Sequence, residues 1–167
     1  MNNIVLIGMP SCGKSTVGVL LAKKLGYRFL DSDILIQEKC GMLLHEIIET
    51  EGLNGFLKIE GEVNRSIQTD RTVISTGGSV VYSDDAMKHL KSIGKVIYIK
   101  ISYETLCMRL GDYVHRGVVM PKGYTLLDMY NERKELYEKY ADFILDEGDD
   151  SINKTLERIA RMCADRM

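Results

Sequence analysis

Residues 8–15, Gly-Met-Pro-Ser-Cys-Gly-Lys-Ser, set two glycines with four residues between them, the second directly before a lysine and a hydroxyl. The pattern G-x-x-x-x-G-K-[ST] binds phosphate when a strand precedes it and a helix follows. Both conditions are met here. Ile4–Ile7 is a short apolar run, and Lys14 opens a helical pattern that lasts to about Leu25, with Gly26 at the usual left-handed cap position. Backbone N–H groups of such a loop, with the helix dipole behind them, form a concave anion site. Lys14 then reaches the β- and γ-phosphates of a nucleotide, and the Ser15 hydroxyl ligates Mg²⁺. Gly8, Pro10, Ser11, Cys12, Gly13, Lys14, Ser15 and Thr16 are the candidate nucleotide-binding residues, with ATP and Mg²⁺ as cofactors. Cys12, near a helix N-terminus, is placed where a thiolate is favoured, and a redox role competes with tolerated variation at a free loop position.

Two further groups belong at the same edge. Asp31-Ser32-Asp33 follows a brief strand, Arg28–Leu30, and Gly77-Gly78 follows another, Thr72–Ser75. Parallel-sheet proteins hold ligands outside the carboxyl ends of their strands, so both should gather beside the phosphate loop. Two acids one residue apart can divide labour, one toward Mg²⁺ through water and one toward a substrate hydroxyl. The competing use of Asp31 or Ser32 is as a cap for the next helix. The glycine pair lets backbone approach a ligand closely, or else simply makes a turn.

The elements that position these groups alternate. Helical patterns run from Ile34 to about Gln68, broken near Gly41 and Gly52; Asp84–Ile93 is helical with Ser83 or Asp84 as cap. Lys95–Ile101 is a strand, Ser102 caps a helix to about Leu110, and Thr125–Tyr140 is a long charged helix. Asp142–Leu145 is the last strand, and a final helix begins near Ser151. Short apolar strands alternating with helices predict a mostly parallel sheet covered on both faces.

Composition narrows the partners. The 167 residues are 45% hydrophobic and 28% charged, in the globular range. Net charge is −2, from 22 basic and 24 acidic residues, so no global basic field attracts nucleic acid or an anionic membrane. Cys12, Cys40, Cys107 and Cys163 form no CxxC pair and no metal-ligand spacing, which reads as reduced intracellular thiols. The apolar run before Gly8 is too short for a signal or a membrane span, so a cytoplasmic monomer is expected.

GMPSCGKST, FLDSD, GFLKIE, STGGS and ERKELYEKYAD, in this order and spacing, resemble the shikimate kinase family over nearly the whole chain. The segment from about 111 to 125 fits poorly. The resemblance implies an α/β P-loop NTPase of the nucleoside-monophosphate-kinase-like type, with a five-stranded parallel sheet flanked by helices. A single domain over 1–167 would carry substrate-binding helices at about 32–70 and a lid at about 111–124. The implied reaction moves the γ-phosphate of ATP to the 3-hydroxyl of shikimate, in the route to aromatic amino acids. Position by position, Lys14, Asp33 and Arg116 are then catalytic: Lys14 and the lid's Arg116 meet the phosphates, and Asp33 holds the acceptor hydroxyls and takes the proton. Ser15 and Asp31 serve the metal, Arg109 packs near the adenine, and Arg133 grips the substrate carboxylate. Asp33, Leu57, Glu60, Gly77, Gly78, Ser79 and Arg133 make up the acceptor site.

Three positions depart from the family pattern. Leu57 stands where an arginine shares the carboxylate clamp, Ser79 where a third glycine stands, and Arg116 is followed by Gly-Val-Val rather than Pro-Leu. Leucine cannot donate a hydrogen bond, and a lost charge-assisted bond costs about 1.5–3 kcal/mol. Leu57 is expected to line the acceptor pocket, with plain packing as the alternative. The acceptor is therefore shikimate or a shikimate-like polyhydroxy compound. The alternatives are a nucleotide-binding regulatory module without acceptor chemistry, or a gluconate- or nucleotide-type kinase.

Overall fold

The structure, a computed structural model, describes residues 2–111, 118–146 and 152–164. Five strands alternate with helices: β1 (Asn3–Gly8), α1 (Lys14–Leu25), β2 (Arg28–Asp31), α2 (Ser32–Cys40), α3 (Leu44–Ser66) and β3 (Thr72–Ser75). A 3-10 turn at Val80–Tyr82 leads to α4 (Asp84–Ile93) and β4 (Gly94–Lys100). Then come α5 (Tyr103–Leu110), α6 (Leu126–Tyr140), β5 (Phe143–Asp146) and α7 (Ile152–Ala164). The strands lie in the order β2-β3-β1-β4-β5, and every pairing is parallel.

The sheet is parallel because each strand returns through a helix, and the helices bury both of its faces. All six residues of β1 and all four of β3 are buried, as is the Val96–Ile99 centre of β4. β1 pairs with β3 on one side and β4 on the other, so chain direction diverges at its carboxyl end. A crevice opens at such a point. The phosphate loop leaves β1 there, Asp31 ends β2, and Thr76-Gly77-Gly78 follow β3 at the same level.

A second, smaller core lies under α2 and α3, where Ile36, Ile47, Phe56, Val63 and Val119 are buried together. Gly52, at φ 70° and ψ 177°, breaks the helical geometry inside α3, the interruption its sequence suggests. Its second half, bearing Phe56 and Glu60, can therefore take its own direction against the cleft. At α6 a capping box sets the start: the Thr125 hydroxyl accepts from Asp128 N–H (3.1 Å), and the Asp128 carboxylate accepts from Thr125 N–H (2.9 Å). Among the described residues, no helix is long and apolar enough to cross a membrane.

Candidate active site

The crevice is a cleft of about 380 Å³. The phosphate loop forms one wall. Pro10, Ser11, Gly13, Lys14, Ser15 and Thr16 line the cleft, and Gly13 (φ 91°) supplies the left-handed turn that starts α1. Lys14 is buried, its Nζ donating to Gly8 O and Met9 O, both at 2.8 Å. The ammonium thus braces the loop it belongs to. Gly8 and the Cys12 side chain are not on this wall. A Cβ at Gly8 would lie 2.6 Å from Ile99 O, so that glycine serves close packing of β1 on β4. The Cys12 thiol is wholly buried behind the loop, 3.6 Å from Lys14 Nζ, and this removes the exposure a redox role needs.

Asp31 caps the next helix, one of the uses its sequence context allows, and its second oxygen reaches the phosphate loop. Its Oδ1 accepts from Asp33 N–H (3.0 Å), capping α2, while Oδ2 accepts from Ser15 Oγ at 2.7 Å. Ser15 Oγ is also 3.1 Å from the Ser75 hydroxyl. Asp33, in the first turn of α2, lines the cleft. Burial, then repulsion from Asp31, outweighs attraction to Lys14 and pushes its carboxyl up to about 6.

The far end of the cleft joins β3's loop to α3 and α6. Glu60 is 1% exposed, and its Oε2 accepts from Ser79 Oγ at 2.5 Å. Burial pushes this carboxyl up to about 7; the Ser79 bond opposes the rise, Asp33 adds to it, and Arg133 and Lys14 oppose it. Gly77 sits between the acids: a Cβ there would overlap Glu60 Oε1 and come within 2.8 Å of Asp33 Oδ1. Arg133 and Tyr137 lie one turn apart on α6 and reach the same loop. Tyr137 Oη donates to Gly78 O at 2.6 Å, and Arg133 Nη1 would be 3.0 Å from a Cβ at Gly78. The Arg133 guanidinium donates to Val119 O, and more distantly to Tyr82 Oη (3.4 Å).

Sequence reasoning placed Leu57 in this pocket; the structure does not. Helix rows run i, i+4, so Glu60 shares its row with Phe56 and Asn64, and Leu57 lies in the next row with Gly61 and Arg65. Phe56 and Glu60 line the cleft, whereas Leu57, Gly61 and Arg65 line a separate groove toward Ser83 and Asp85. Leu57 is half-buried and packs on the smaller core. Arg109 is exposed on the last turn of α5, outside the cleft lining. Arg116 falls outside the described residues. Leu44, Thr76, Val118 and Val119 complete the lining without having been singled out. Thr76 stood inside the STGGS motif; the two valines carried no local signal, since an apolar pair in a loop reads as ordinary packing.

Comparison with known proteins agrees with this geometry. A family model for shikimate kinase matches residues 10–164. Shikimate kinase 2 of Yersinia pseudotuberculosis is 32% identical over 169 residues, spanning 98% of this chain and 97% of the relative. A Clostridium botulinum shikimate kinase is 38% identical over 148 residues, 88% of each chain. The solved shikimate kinase from Acinetobacter baumannii in complex with shikimate has a TM-score of 0.87 and 29% identity, covering 99% of this chain and 94% of that one. These matches run from the phosphate loop through α3 and α6 to the last helix, and the chain belongs to the shikimate kinase family of ATP-dependent small-molecule kinases.

Proposed function

We propose that the protein transfers the γ-phosphoryl group of Mg²⁺-ATP to a hydroxyl of shikimate or a closely related polyhydroxylated ring. One observation carries the reading: a phosphate loop and a half-buried aspartate with raised proton affinity line the same cleft. Asp33 orients the acceptor hydroxyl and takes its proton, Lys14 meets the transferring phosphoryl group, and Arg133 holds the acceptor's acid group from α6. Phosphoryl transfer needs positioning and charge neutralisation more than covalent chemistry, which suits a wall of N–H donors and one lysine.

Ser15 Oγ and Asp31 Oδ2, neighbouring hard oxygens 2.7 Å apart, fit Mg²⁺, which takes one or two protein oxygens and keeps waters and phosphate for the rest. Ser15 would hold the ion and Asp31 one of its waters. Bound there, the ion neutralises charge on the nucleotide phosphates. In the same reading residues 32–70 form the acceptor-binding helices and 111–124 a lid bringing Arg116 to the phosphates, all within one domain. The protein works as a cytoplasmic monomer without nucleic-acid or membrane partners, in keeping with its net charge of −2.

The test is ADP release with shikimate, quinate, gluconate and related polyols. Saturable turnover with shikimate is expected. Firm ATP binding without turnover of any acceptor would leave a nucleotide-binding module instead.

A further inference from the structure

Glu60 is almost wholly buried, yet among the described residues only one of its carboxylate oxygens has a partner. Oε2 accepts from Ser79 Oγ; Oε1 accepts from none of the described residues. An unpaired buried oxygen is costly, so an orphan of this kind calls for an explanation. This one lies beside Gly77, where Asp33 Oδ1 also stands, and Glu60, Asp33, Gly77 and Ser79 all line the cleft. The two carboxylate oxygens stand side by side against that glycine, in the space a side chain there would take.

We propose that Ser79 is a positioning residue that sets acceptor specificity: by donating to Glu60 Oε2 it holds Oε1 beside Asp33 Oδ1 at Gly77, and these two oxygens together receive neighbouring O–H donors of the acceptor. The ligand class is a compound with adjacent hydroxyls, one of them the phosphorylation site. This rests on the kinase reading above. Ser79 acts through Glu60, and its hydroxyl is already committed at 2.5 Å. Among the described residues, the other charged groups facing Glu60 are Asp33 from α2, Lys14 from the phosphate loop and Arg133 from α6. The Ser79 bond favours the ionised carboxylate. Without it, Glu60 more readily takes a proton and presents an O–H where the acceptor needs a lone pair.

The experiment compares Ser79→Ala and Ser79→Thr with the unaltered protein. In the free protein, the ¹³C carboxyl resonance of Glu60, assigned with Glu60→Gln, should titrate at higher pH in Ser79→Ala and at its original pH in Ser79→Thr. In steady state with shikimate, Ser79→Ala should raise acceptor KM roughly tenfold, the loss of one bond to a charged group. The ATP KM should stay put, kcat should change less than twofold, and Ser79→Thr should restore the acceptor KM. With an analogue lacking the hydroxyl beside the phosphorylated one, the Ser79→Ala penalty should vanish. An unmoved Glu60 titration overturns the proposal, as does an equal penalty on both acceptors. If Ser79→Ala does not fold, Ser79→Gly gives the same contrast against threonine. Absence of turnover by the unaltered protein would sink the proposed function, and the titration would still decide Ser79.

Discussion

Ser79 Oγ and Glu60 Oε2, 19 residues apart in sequence, meet at 2.5 Å where the loop after β3 crosses the middle of α3. Ser79, one of the positions at which this chain departs from the family pattern, is thereby the direct partner of a buried carboxylate in the cleft.

Glu60 should make stability depend on pH. Its carboxyl lies near 7 in the folded protein against an ordinary 4.5, so between those values the native state binds more protons than the unfolded chain. Stability then falls as pH rises through that window and levels off above it. Glu60→Gln should gain on the order of 3 kcal/mol relative to the unaltered protein between pH 4.5 and pH 8. Urea unfolding at the two pH values measures this, and a gain at the acid end instead would contradict it.

Asp33 must be ionised to take a proton. With its carboxyl near 6, kcat/KM should drop tenfold per pH unit below about pH 6. Asp33→Asn should lower kcat by roughly 10²–10⁴-fold and leave nucleotide affinity nearly unchanged. A pH profile and a fluorescent-nucleotide titration separate the two effects. Full activity in Asp33→Asn would remove the assigned base.

Gly77→Ala tests the gap between the acids. Its methyl would overlap Glu60 Oε1 and crowd Asp33 Oδ1, which are side-chain atoms on the ligand side. Acceptor KM should rise by at least about tenfold, equivalent to one lost charge-assisted bond, with little change in ATP KM. Circular dichroism should still report a native fold.

Arg133→Lys keeps the charge and loses the planar fork. Acceptors bearing a carboxylate should bind about 10–100-fold more weakly, whereas a neutral polyol should be affected far less. Equal losses on both would show that Arg133 only supports Val119 and Tyr82, its partners in the structure.

Leu57→Ala should behave as a packing change. A half-buried leucine on the smaller core should cost about 1–2 kcal/mol, below the range for fully buried sites, with acceptor KM within twofold. A large KM effect would return Leu57 to the pocket.

Local chemistry suffices for much of this protein. The strand–loop–helix at 3–25 is legible because glycine spacing, one lysine and an apolar run are short-range signals, and Ser83 and Ser102 cap their helices as their residue types suggest. The order of elements likewise suffices for a parallel sheet. Tertiary structure decided the rest, because it depends on distances between residues far apart in the chain and on one helix's angular phase. A shift of one row on α3 moved Leu57 out of the cleft and left Glu60 in it. A buried wall behind the loop took Cys12 out of reach. The link between Ser79 and Glu60 exists only because β3's loop is folded against α3, and no periodicity along either segment contains that contact.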